Sequence, residues 1–582
     1  MNRISLLFLL IIAPSMTMAA TYYVHPDSTY STIQSGINAA SAGDSVVVLP
    51  GTYYESIFLA DSITVRSTGG SSQTIVVGGD STRTVYADGT NDMNFGGTNA
   101  GFTVRQGSSY GMIFEDCARL EAEDIVVRPL GSYQSIAGIR FYNCANTVSM
   151  KAANISYQDS MGIDVWYSDV SLEDIDVEHV DYRGIRIDFL SEPALEDIDV
   201  SDCETGLFIG LADVIVDDMT FDECETAIIV DVPYAVSIDL TDISIEDCDD
   251  GIFTDGSNNL IDLNIDNLDC SQCTTGLVLD DTKLCLTNSS IYYIYDTGIE
   301  AGYCSDTLII GESGSTNSFY DIDGDAIYLG ANCKAVVRSS FESVSGTAIN
   351  CNTGTDNVDI VYSDFDGSGC FEGISTSGSG TLATVRNCDL YNYQAHTSPS
   401  PRAAIAYKAT ADYGTVSDNG DNDFHDNSTD LNYANRDASP DSLYAVKNWW
   451  GENPPDASSF AGRTGYIVYQ PYRTTAPRLI PTDAVPAPAP EILAIRNTFP
   501  NPTSDHVTIR CQIPDRADAE LLIWDVSGRI VRRIDIHPGD SEMVEISWDG
   551  TDGSDNHLPS GTYFCRLKST LDSNTRRIVL TR

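Results

Sequence analysis

Basic residues are scarce in this sequence of 582 residues. Lysine and arginine together number 32, against 85 aspartates and glutamates, which gives a formal net charge of −53. Binding to nucleic acid by charge neutralisation requires a basic surface. We therefore expect no nucleic-acid partner, and an acidic exterior that is either simply solvated or suited to calcium.

Long apolar runs are absent after residue 20, so we expect no transmembrane segment in the mature chain. Residues 1–20 combine Arg3, the apolar run Leu6–Ile12, and the small residues Ala19 and Ala20, a pattern typical of a secretory signal peptide. The apolar run is too short to cross a bilayer. The sequence thus predicts a protein that is secreted or attached to the outer cell surface.

Histidine is also rare, and familiar catalytic sets are missing. The seven histidines are scattered, and no pair has the spacing of a zinc site. No Ser/His/Asp or Cys/His arrangement stands out. The sequence therefore indicates neither a zinc enzyme nor a hydrolase with a nucleophilic triad.

Two columns of residues recur through the chain with a period of about 24 residues. The first is a small residue followed by an aliphatic one, at Gly111, Gly138, Gly162, Gly184, Gly206, Ala227, Gly251, Gly276, Gly298, Ala326, Ala348 and Gly373. The second is Asp, Asn or Ser followed by a large apolar residue, at Asp124, Asn154, Asp174, Asp197, Asp218, Asp242, Asn267, Ser290, Ser318, Ser340, Asp364 and Asp389. We expect this polar column to occupy one turn on every coil.

Within each repeat, runs of three to five residues alternate between apolar and polar side chains, which is typical of short strands. One such unit cannot bury its apolar face alone, whereas stacked units can. The sequence therefore predicts an all-β fold, a right-handed parallel β-helix of about sixteen to eighteen coils, in which like residues form ladders.

Fifteen cysteines in an exported chain raise the question of disulfides. Val180, Cys203, Cys224, Cys248 and Cys273 recur at one position of the repeat, where they form either a ladder of buried thiols or, as the alternative, a disulfide network. Near the C-terminus we expect one bridge, Cys511 to Cys565.

The segment YSTIQSGINAASAGDSVVVLPGTYYESI resembles the N-terminal capping segment of the pectin-lyase-like β-helix superfamily. Ser31 and Gln34 have capping-box spacing, and Ile33, Ile37 and Ala40 form one apolar face of a short helix. We expect that helix to cover the open end of the coil stack.

Asn448-Trp449-Trp450-Gly451 is similar to an element near the end of many bacterial members of that superfamily. The resemblance covers roughly residues 21–475. It implies the fold but no single activity, since the superfamily includes lyases, hydrolases, esterases, tailspikes and non-enzymatic surface proteins.

Residues 476–491 are rich in proline and predict an extended linker. Residues 492–582 carry about seven strand-like runs, as expected of a small β-sandwich. They resemble the Ig-like module shared by the flagellar hook-capping protein and the type A sorting domains of the type IX secretion system. The matching segments are Phe499-Pro500-Asn501-Pro502, Leu521–Val531, Trp548-Asp549-Gly550, Pro559–Tyr563 and Arg576–Arg582. This resemblance implies sorting or anchoring, with the secretion machinery as a partner; a plain structural cap is the alternative.

Alternating positions after the small-residue column place charged and aromatic side chains on the outside of three successive coils. They are Arg140 and Tyr142, Asp164 and Trp166, and Arg186 and Asp188. Aromatic stacking with Tyr142 and Trp166, together with Arg140 and Arg186, is a way to bind an extracellular or cell-surface glycan. In enzymes of the superfamily, Arg or Lys with Asp on such a face is catalytic, which makes Arg140, Asp164, Arg186 and Asp188 the catalytic candidates. The alternative is a salt-bridged ladder.

Calcium is the one cofactor that the sequence suggests. Asp321, Asp323 and Asp325 supply carboxylates at alternate positions, as an oxygen cage requires. The segment departs from an EF-hand loop, because Ala326 stands at position six and Asn332 at position twelve. An acidic turn between coils is the alternative interpretation.

Taken together, these patterns predict an exported bacterial β-helix protein that is carbohydrate-binding or structural and adhesive. The alternative is a polysaccharide lyase, or another carbohydrate-active enzyme of the hydrolase or pectin-esterase type. Tyr157-Gln158-Asp159-Ser160 is similar to a pectin methylesterase motif, but Asp188-Phe189-Leu190 lacks the Phe-Gly that follows in that family.

Overall fold

The computed structural model describes most of the chain. The described residues are 19–79, 82–106, 109–130, 135–145, 147–256, 261–304, 306–315, 317–352, 354–355, 357–378, 381–394, 402–407, 410–433, 442–462, 467–477, 494–499, 506–513, 519–525, 529–536, 543–553, 557–559, 561–568 and 573–580. The predicted signal peptide and linker lie almost wholly outside them. Met1–Val485 and Pro486–Arg582 form two compact units. None of the helices in the described ranges has the length and apolar character needed to cross a membrane.

In its described residues the first unit holds one α-helix, α1 (Ile33–Ala39), and one 3₁₀ helix (Ala457–Ser459). Its strands are β1 (Thr21–Val24), β2 (Ser45–Val48), β3 (Gly51–Tyr54), β4 (Ile57–Phe58), β5 (Thr64–Ser67), β6 (Thr74–Val77), β7 (Arg83–Asp88), β8 (Met93–Gly96), β9 (Phe102–Gln106), β10 (Tyr110–Glu115), β11 (Leu120–Pro129), β12 (Ala137–Tyr142), β13 (Val148–Gln158), β14 (Met161–Trp166), β15 (Ser171–Asp188), β16 (Ala194–Ile209), β17 (Val214–Asp222), β18 (Thr226–Asp231), β19 (Val236–Glu246), β20 (Asp250–Asp255), β21 (Ile261–Ser271) and β22 (Thr275–Asp280).

The later strands of this unit are β23 (Thr282–Thr287), β24 (Ser290–Ile294), β25 (Thr297–Tyr303), β26 (Thr307–Ile310), β27 (Ser318–Ile322), β28 (Ile327–Ala331), β29 (Lys334–Val337), β30 (Ser340–Val344), β31 (Thr347–Cys351), β32 (Val358–Val361), β33 (Asp364–Asp366), β34 (Glu372–Ser377), β35 (Leu382–Arg386), β36 (Asp389–Tyr391), β37 (Arg402–Tyr407), β38 (Thr410–Asp412), β39 (Asp423–His425), β40 (Leu431–Tyr433), β41 (Leu443–Tyr444), β42 (Phe460–Gly462) and β43 (Ile467–Val468).

These strands wind into a right-handed parallel β-helix of about 17 turns, which confirms the fold predicted from the repeat. Each turn adds a strand to each of three faces. The first face begins with β1, β2, β5 and β8 and ends with β41 and β43. The second begins with β3, β6 and β9 and ends with β36 and β39. The third begins with β4, β7 and β10 and ends with β40 and β42.

Some corners between faces are made within a single strand, without a loop. Strand β15 crosses all three faces and bends at Asp174 and His179, which have φ angles of 57° and 56°. Asp and Asn adopt this left-handed conformation more readily than most residues, because their short side chains bond locally. The first corner accordingly carries Asp174, Asp197 and Asp218, all with positive φ.

The small-residue column of the sequence marks the places where coils approach most closely. A Cβ atom added at Gly162 would lie 2.5 Å from the carbonyl oxygen of Gly184, and one at Gly184 would lie 2.7 Å from that of Gly206. Real Cβ atoms do not approach a carbonyl oxygen so closely. A larger side chain in this column would therefore push neighbouring coils apart.

The interior is built of ladders of like side chains. The rings of Phe319, Phe341 and Phe365 stack with centroid separations of 5.2 and 4.9 Å. Cys203 pairs in register with Val180, and the four cysteines predicted in that column are buried free thiols. The thiol ladder is thus confirmed over a disulfide network.

The polar column predicted for one turn on every coil is in fact two columns. Asp242 and Asn267 lie at the corner with positive φ, whereas Ser290, Ser318 and Asp364 lie two residues further along, inside second-face strands. A shift of two residues leaves the same alternate side chains facing inward, so the hydrophobic pattern cannot distinguish the two registers.

Helix α1 covers the start of the stack, with Ile33 and Ile37 buried. The predicted position of its cap is wrong by one residue. Thr32 and Ser35 form the capping box, not Ser31 and Gln34. The reason is that the side chain of Gln34 is engaged elsewhere, because its Oε1 accepts a hydrogen bond of 2.7 Å from the backbone N–H of Phe58.

The second unit is a small sandwich in its described residues. One sheet contains β44 (Ala494–Phe499), β45 (Val507–Gln512) and β48 (Met543–Trp548). The other contains β46 (Ala519–Asp525), β47 (Ile530–Ile536), β49 (Gly561–Lys568) and β50 (Ser573–Leu580). Neighbouring strands are antiparallel.

The predicted bridge between Cys511 and Cys565 is wrong, since neither of these buried cysteines forms a disulfide. Cys511 lies on β45 and Cys565 on β49, in opposite sheets. The two thiols act as small apolar side chains of the core.

Acidic side chains also stack on the outside of the first face. Glu173, Glu196 and Asp217 occupy successive coils in register. Burial, followed by the charges of Glu173 and Asp217, raises the pKa of Glu196 to about 7. The carboxyl group is therefore more easily protonated in the folded chain than in the unfolded chain.

Because the pKa of Glu196 is raised, we predict that lowering the pH increases the free energy of unfolding of the first unit. Between the unfolded pKa of about 4.3 and the folded value, the folded state binds a proton that the unfolded state lacks, so stability falls as pH rises through this window. Glu196→Gln should raise the Tm at pH 8 by about 2 °C and change it little at pH 4.5. Glu121→Gln is the control, because Glu121 is exposed and lies opposite Asn94 and Ser149. Equal shifts at both pH values would contradict the prediction.

Candidate functional site

The third face brings together the six side chains that the sequence placed on its outside. Arg140, Asp164 and Arg186 are in register on β12, β14 and β15. Tyr142, Trp166 and Asp188 form the next outward row of the same three strands. We call these six residues the arginine–aromatic patch.

Asp164 is at the centre of the patch and is almost fully buried, with 1% of its surface exposed. Its Oδ2 lies 3.7 Å from Arg140 Nε, and its Oδ1 lies 3.9 Å from Arg186 Nη1. The indole N–H of Trp166 donates a hydrogen bond of 2.7 Å to Oδ1. Burial raises the pKa of Asp164, and the two arginines only partly offset this effect. The carboxylate therefore holds both guanidinium groups in place.

Trp166 lies between the two arginines. The guanidinium carbons of Arg140 and Arg186 are 5.0 and 4.5 Å from the centre of its ring system, within the range of a cation–π interaction. Arg186 also forms an ion pair of 2.9 Å with Asp188. The salt-bridged ladder weighed from the sequence is thus present, and it immobilises the side chains of the patch.

A second row of aromatic rings borders the patch, and sequence reasoning missed it. Phe189 lies 4.3 Å from Trp166 and 5.3 Å from Tyr167, measured between ring centroids. Tyr167 and Phe189 have positive φ in the turns that leave the third face, so they fall outside the strand alternation used for prediction. The signal available was an aromatic residue directly after two of the three outward pairs. Tyr167 is 45% exposed and widens the aromatic surface.

Two grooves follow the corner between the second and third faces. One, of about 520 Å³, is lined by Tyr157, His179 and several carboxylates that include Asp202. The other, of about 610 Å³, is lined by Tyr293, Tyr295, Asp321, Asp323 and uncharged side chains. No residue of the arginine–aromatic patch lines either of these two grooves.

The predicted calcium ligands do not converge. Asp321 and Asp323 line the second groove, whereas the carboxylate of Asp325 accepts hydrogen bonds from Thr347 N at 2.8 Å and Asn350 Nδ2 at 2.7 Å. Within the described part of the chain, a different trio has its candidate ligand atoms within 4.8 Å of one another. Calcium binding by Asp321, Asp323 and Asp325 stays a prediction.

That trio consists of Asp389, Asp423 and His425, on the second face. Asp389 pairs in register with Asp423, and His425 follows two residues later on the same strand. Burial and then the charge of Asp423 raise the pKa of Asp389 to about 7, and burial raises that of Asp423 to about 6. The pKa of His425 is also raised, because a hydrogen bond to Asp426 and the nearby carboxylates outweigh the effect of its burial.

A usable signal for this trio was present in the sequence, because the polar column ends at Asp389. One further coil in the same register reaches Asp423. His425 lies one coil beyond Asp389, so the spacing of residues along the chain does not reveal that the two meet.

Asp164→Asn should destabilise the first unit by about 3 kcal/mol, because it leaves two partly buried arginines without their shared anion. Thermal unfolding followed by circular dichroism would measure the effect. Asp92→Asn is the matched control, since the ion pair between Arg119 and Asp92 is also close, at 2.9 Å, but both side chains are 62% exposed. Similar losses in the two variants would show that the burial of Asp164 is not what matters.

Comparison with known proteins supports the assignment of the C-terminal unit. Residues 497–573 match the FlgD Ig-like domain family, which confirms the resemblance seen in the sequence for that unit. No curated protein matches the chain.

Solved structures similar to the chain include the A-module of the Azotobacter vinelandii mannuronan C-5 epimerase AlgE4, at 12% identity over 57% of this chain and 90% of that one, with a TM-score of 0.35. Pectate lyase Pel9A is 13% identical over 59% and 79% of the two chains, with a TM-score of 0.25. PorZ, a surface component of the type IX secretion system of Porphyromonas gingivalis, is 24% identical over 15% of this chain, with a TM-score of 0.12. The match spans 11% of PorZ. These likenesses concern the fold alone.

Proposed function

We propose that this protein is an exported β-helix that binds an acidic glycan at the cell exterior through its arginine–aromatic patch. The observation that carries the proposal is the position of two guanidinium groups beside aromatic rings. Arg140 and Arg186 lie over Trp166, and their charges balance those of Asp164 and Asp188, on a chain whose net charge is −53. The patch is therefore neutral on an acidic chain, and it repels an anionic ligand less than the rest of the surface does.

The accessibility of the two arginines and an unpaired donor of Arg186 also support glycan binding. Both Arg140 and Arg186 keep part of their side chain accessible, at 23% and 18%. The buried Nε of Arg186 has no hydrogen-bond partner among the described residues. Guanidinium donors fixed by Asp164 match the paired oxygens of a carboxylate, and the adjoining rings of Tyr142 and Tyr167 offer faces for a sugar ring.

Binding is favoured over catalysis because the charged groups of the patch already contact one another. Arg140, Asp164, Arg186 and Asp188 lie on one sheet face, and each carboxylate is within 4 Å of an arginine nitrogen. Asp164, which would be the natural base of that group, is already in contact with two arginines and an indole N–H.

The glycan proposal can be tested with the purified protein and a panel of polymers. We expect polyuronates such as polygalacturonate and alginate to retard the protein in affinity electrophoresis, whereas neutral glucans do not. Arg140→Gln and Arg186→Gln should each weaken binding about tenfold, because a hydrogen bond to a charged group contributes about 1.5 kcal/mol or more. Added salt should weaken binding further.

Arg338→Gln is the matched control, because Arg338 also lies over a tyrosine ring, Tyr362 at 4.9 Å, but outside the patch. Equal affinity in wild type and both patch variants would refute the proposal. Shortened polymer chains after incubation would instead make the protein a polysaccharide lyase or hydrolase. No binding across the panel would leave a structural or adhesive role.

For the C-terminal unit we propose sorting or anchoring by the export machinery. The match of residues 497–573 to an Ig-like family and the separate compactness of Pro486–Arg582 support a module that acts independently of the solenoid.

In a host with a type IX secretion system, the full chain should reach the cell surface or the medium, whereas a chain that ends at Val485 should remain in the periplasm. Cell fractionation with immunoblotting would show this difference. The circular dichroism spectrum and protease resistance of the shortened chain serve as the folding control. Equal export of both chains would mean that the C-terminal unit is a structural cap and has no role in sorting.

A further inference from the structure

Three side chains at the C-terminal end of the second face have the donor set of a metal site. Asp389 on β36 and Asp423 on β39 occupy the same position of successive coils, and His425 points outward two residues after Asp423. One candidate ligand atom from each of the three lies within 4.8 Å of the other two. No other group of three His, Cys, Asp or Glu residues in the described part of the chain meets this condition.

One carboxylate oxygen of this group is buried without a hydrogen-bond partner. Asp423 is 7% exposed, and its Oδ1 has no donor within reach in the described structure. The Oδ1 of Asp389 lies 3.2 Å from Nε2 of His425. A buried carboxylate oxygen is costly unless a donor or a cation satisfies it.

His425 is held in the orientation of a metal ligand. Its Nδ1 lies 2.9 Å from Oδ2 of Asp426, and its ring stacks on Tyr391 with a centroid separation of 5.2 Å and an interplanar angle of 2°. A ligating histidine characteristically donates its other ring N–H to a carboxylate, which fixes the tautomer. Here that arrangement turns Nε2 towards Asp389, whose Oδ1 is 3.2 Å away.

The geometry and the donor types select the class of metal. Two ligands bonded at about 2.0 Å to one tetrahedral ion are about 3.3 Å apart, close to the separation between His425 and Asp389. An imidazole with two carboxylates suits a transition-metal ion such as Zn²⁺, whereas Ca²⁺ requires six or more oxygen ligands. The side chains of His425 and Asp389 are 33% and 28% exposed, so an ion can enter from solvent.

We propose that Asp389, Asp423 and His425 bind one divalent transition-metal ion of the Zn²⁺ type, with Asp426 orienting the histidine. Three protein ligands leave the fourth tetrahedral position to water or to an oxygen of a ligand. The site is separate from the arginine–aromatic patch, since the two lie on different faces, and it does not depend on glycan binding.

The test is isothermal titration calorimetry of the full chain, first stripped with EDTA and then titrated with Zn²⁺ alone. We expect one strong site per chain that Ca²⁺ in hundredfold excess does not occupy. Asp423→Asn and His425→Gln should abolish that site, and Asp426→Asn should weaken it at least tenfold. Because His425 is partly exposed, His425→Gln remains informative if Asp423→Asn does not fold, which circular dichroism would reveal.

His179→Gln is the matched control, because His179 also lies near carboxylates, 3.6 Å from Asp202 and 3.9 Å from Glu178, but lies outside the trio. Unchanged Zn²⁺ binding in His179→Gln with loss in His425→Gln supports the site. Binding that survives His425→Gln, that is lost in His179→Gln, or that Ca²⁺ displaces equally would overturn it. The two proposals can fail separately. Arg140→Gln and Arg186→Gln should lose glycan binding and keep Zn²⁺ binding, whereas His425→Gln should lose Zn²⁺ binding and keep glycan binding.

Discussion

Everything in the solenoid depends on hydrogen bonding between successive parallel coils. No coil buries its apolar side alone, so each is stable only when it is stacked in register on the next, about 4.8 Å away. This constraint places equivalent residues directly above one another. Apolar residues then form continuous interior ladders, such as Phe319, Phe341 and Phe365, and a glycine or alanine stands where the coils approach most closely.

The same stacking has consequences for charge. In a chain with 85 acidic residues, equivalent positions on successive coils often carry like charges a few ångströms apart. The structure meets this problem in three ways. The pKa of Glu196 is raised beside Glu173 and Asp217. In the arginine–aromatic patch the charge of the side chain alternates in sign from coil to coil. Asp389 and Asp423 lie beside a histidine. The first is a cost of the fold, whereas the other two are places where a ligand can interact.

Both candidate sites show how a regular scaffold creates specificity. The side chains of the patch are fixed by one buried carboxylate, Asp164, so that two guanidinium groups and an indole keep a set geometry without a ligand. In the trio of Asp389, Asp423 and His425, the stack supplies two aspartates at one repeat position, and Asp426 and Tyr391 set the orientation of the histidine. On such a scaffold, sites arise from departures of single coils from the repeat.

The amino-acid sequence by itself determined the all-β fold, the parallel coils and the six residues of the patch, and it left the cysteine column open between buried thiols and disulfides. These features depend on alternation within a strand and on a repeat of about 24 residues, both of which are local or periodic properties of the chain. Only the tertiary structure decided the offset between the two polar columns and the position of the helix cap at Thr32. It also decided that Cys511 and Cys565 form no disulfide, and that Asp389 lies next to His425. The physical reason is that alternation is unchanged by a shift of two residues. Contacts that depend on the exact register, or on side chains one coil apart, are therefore fixed only when the coils stack.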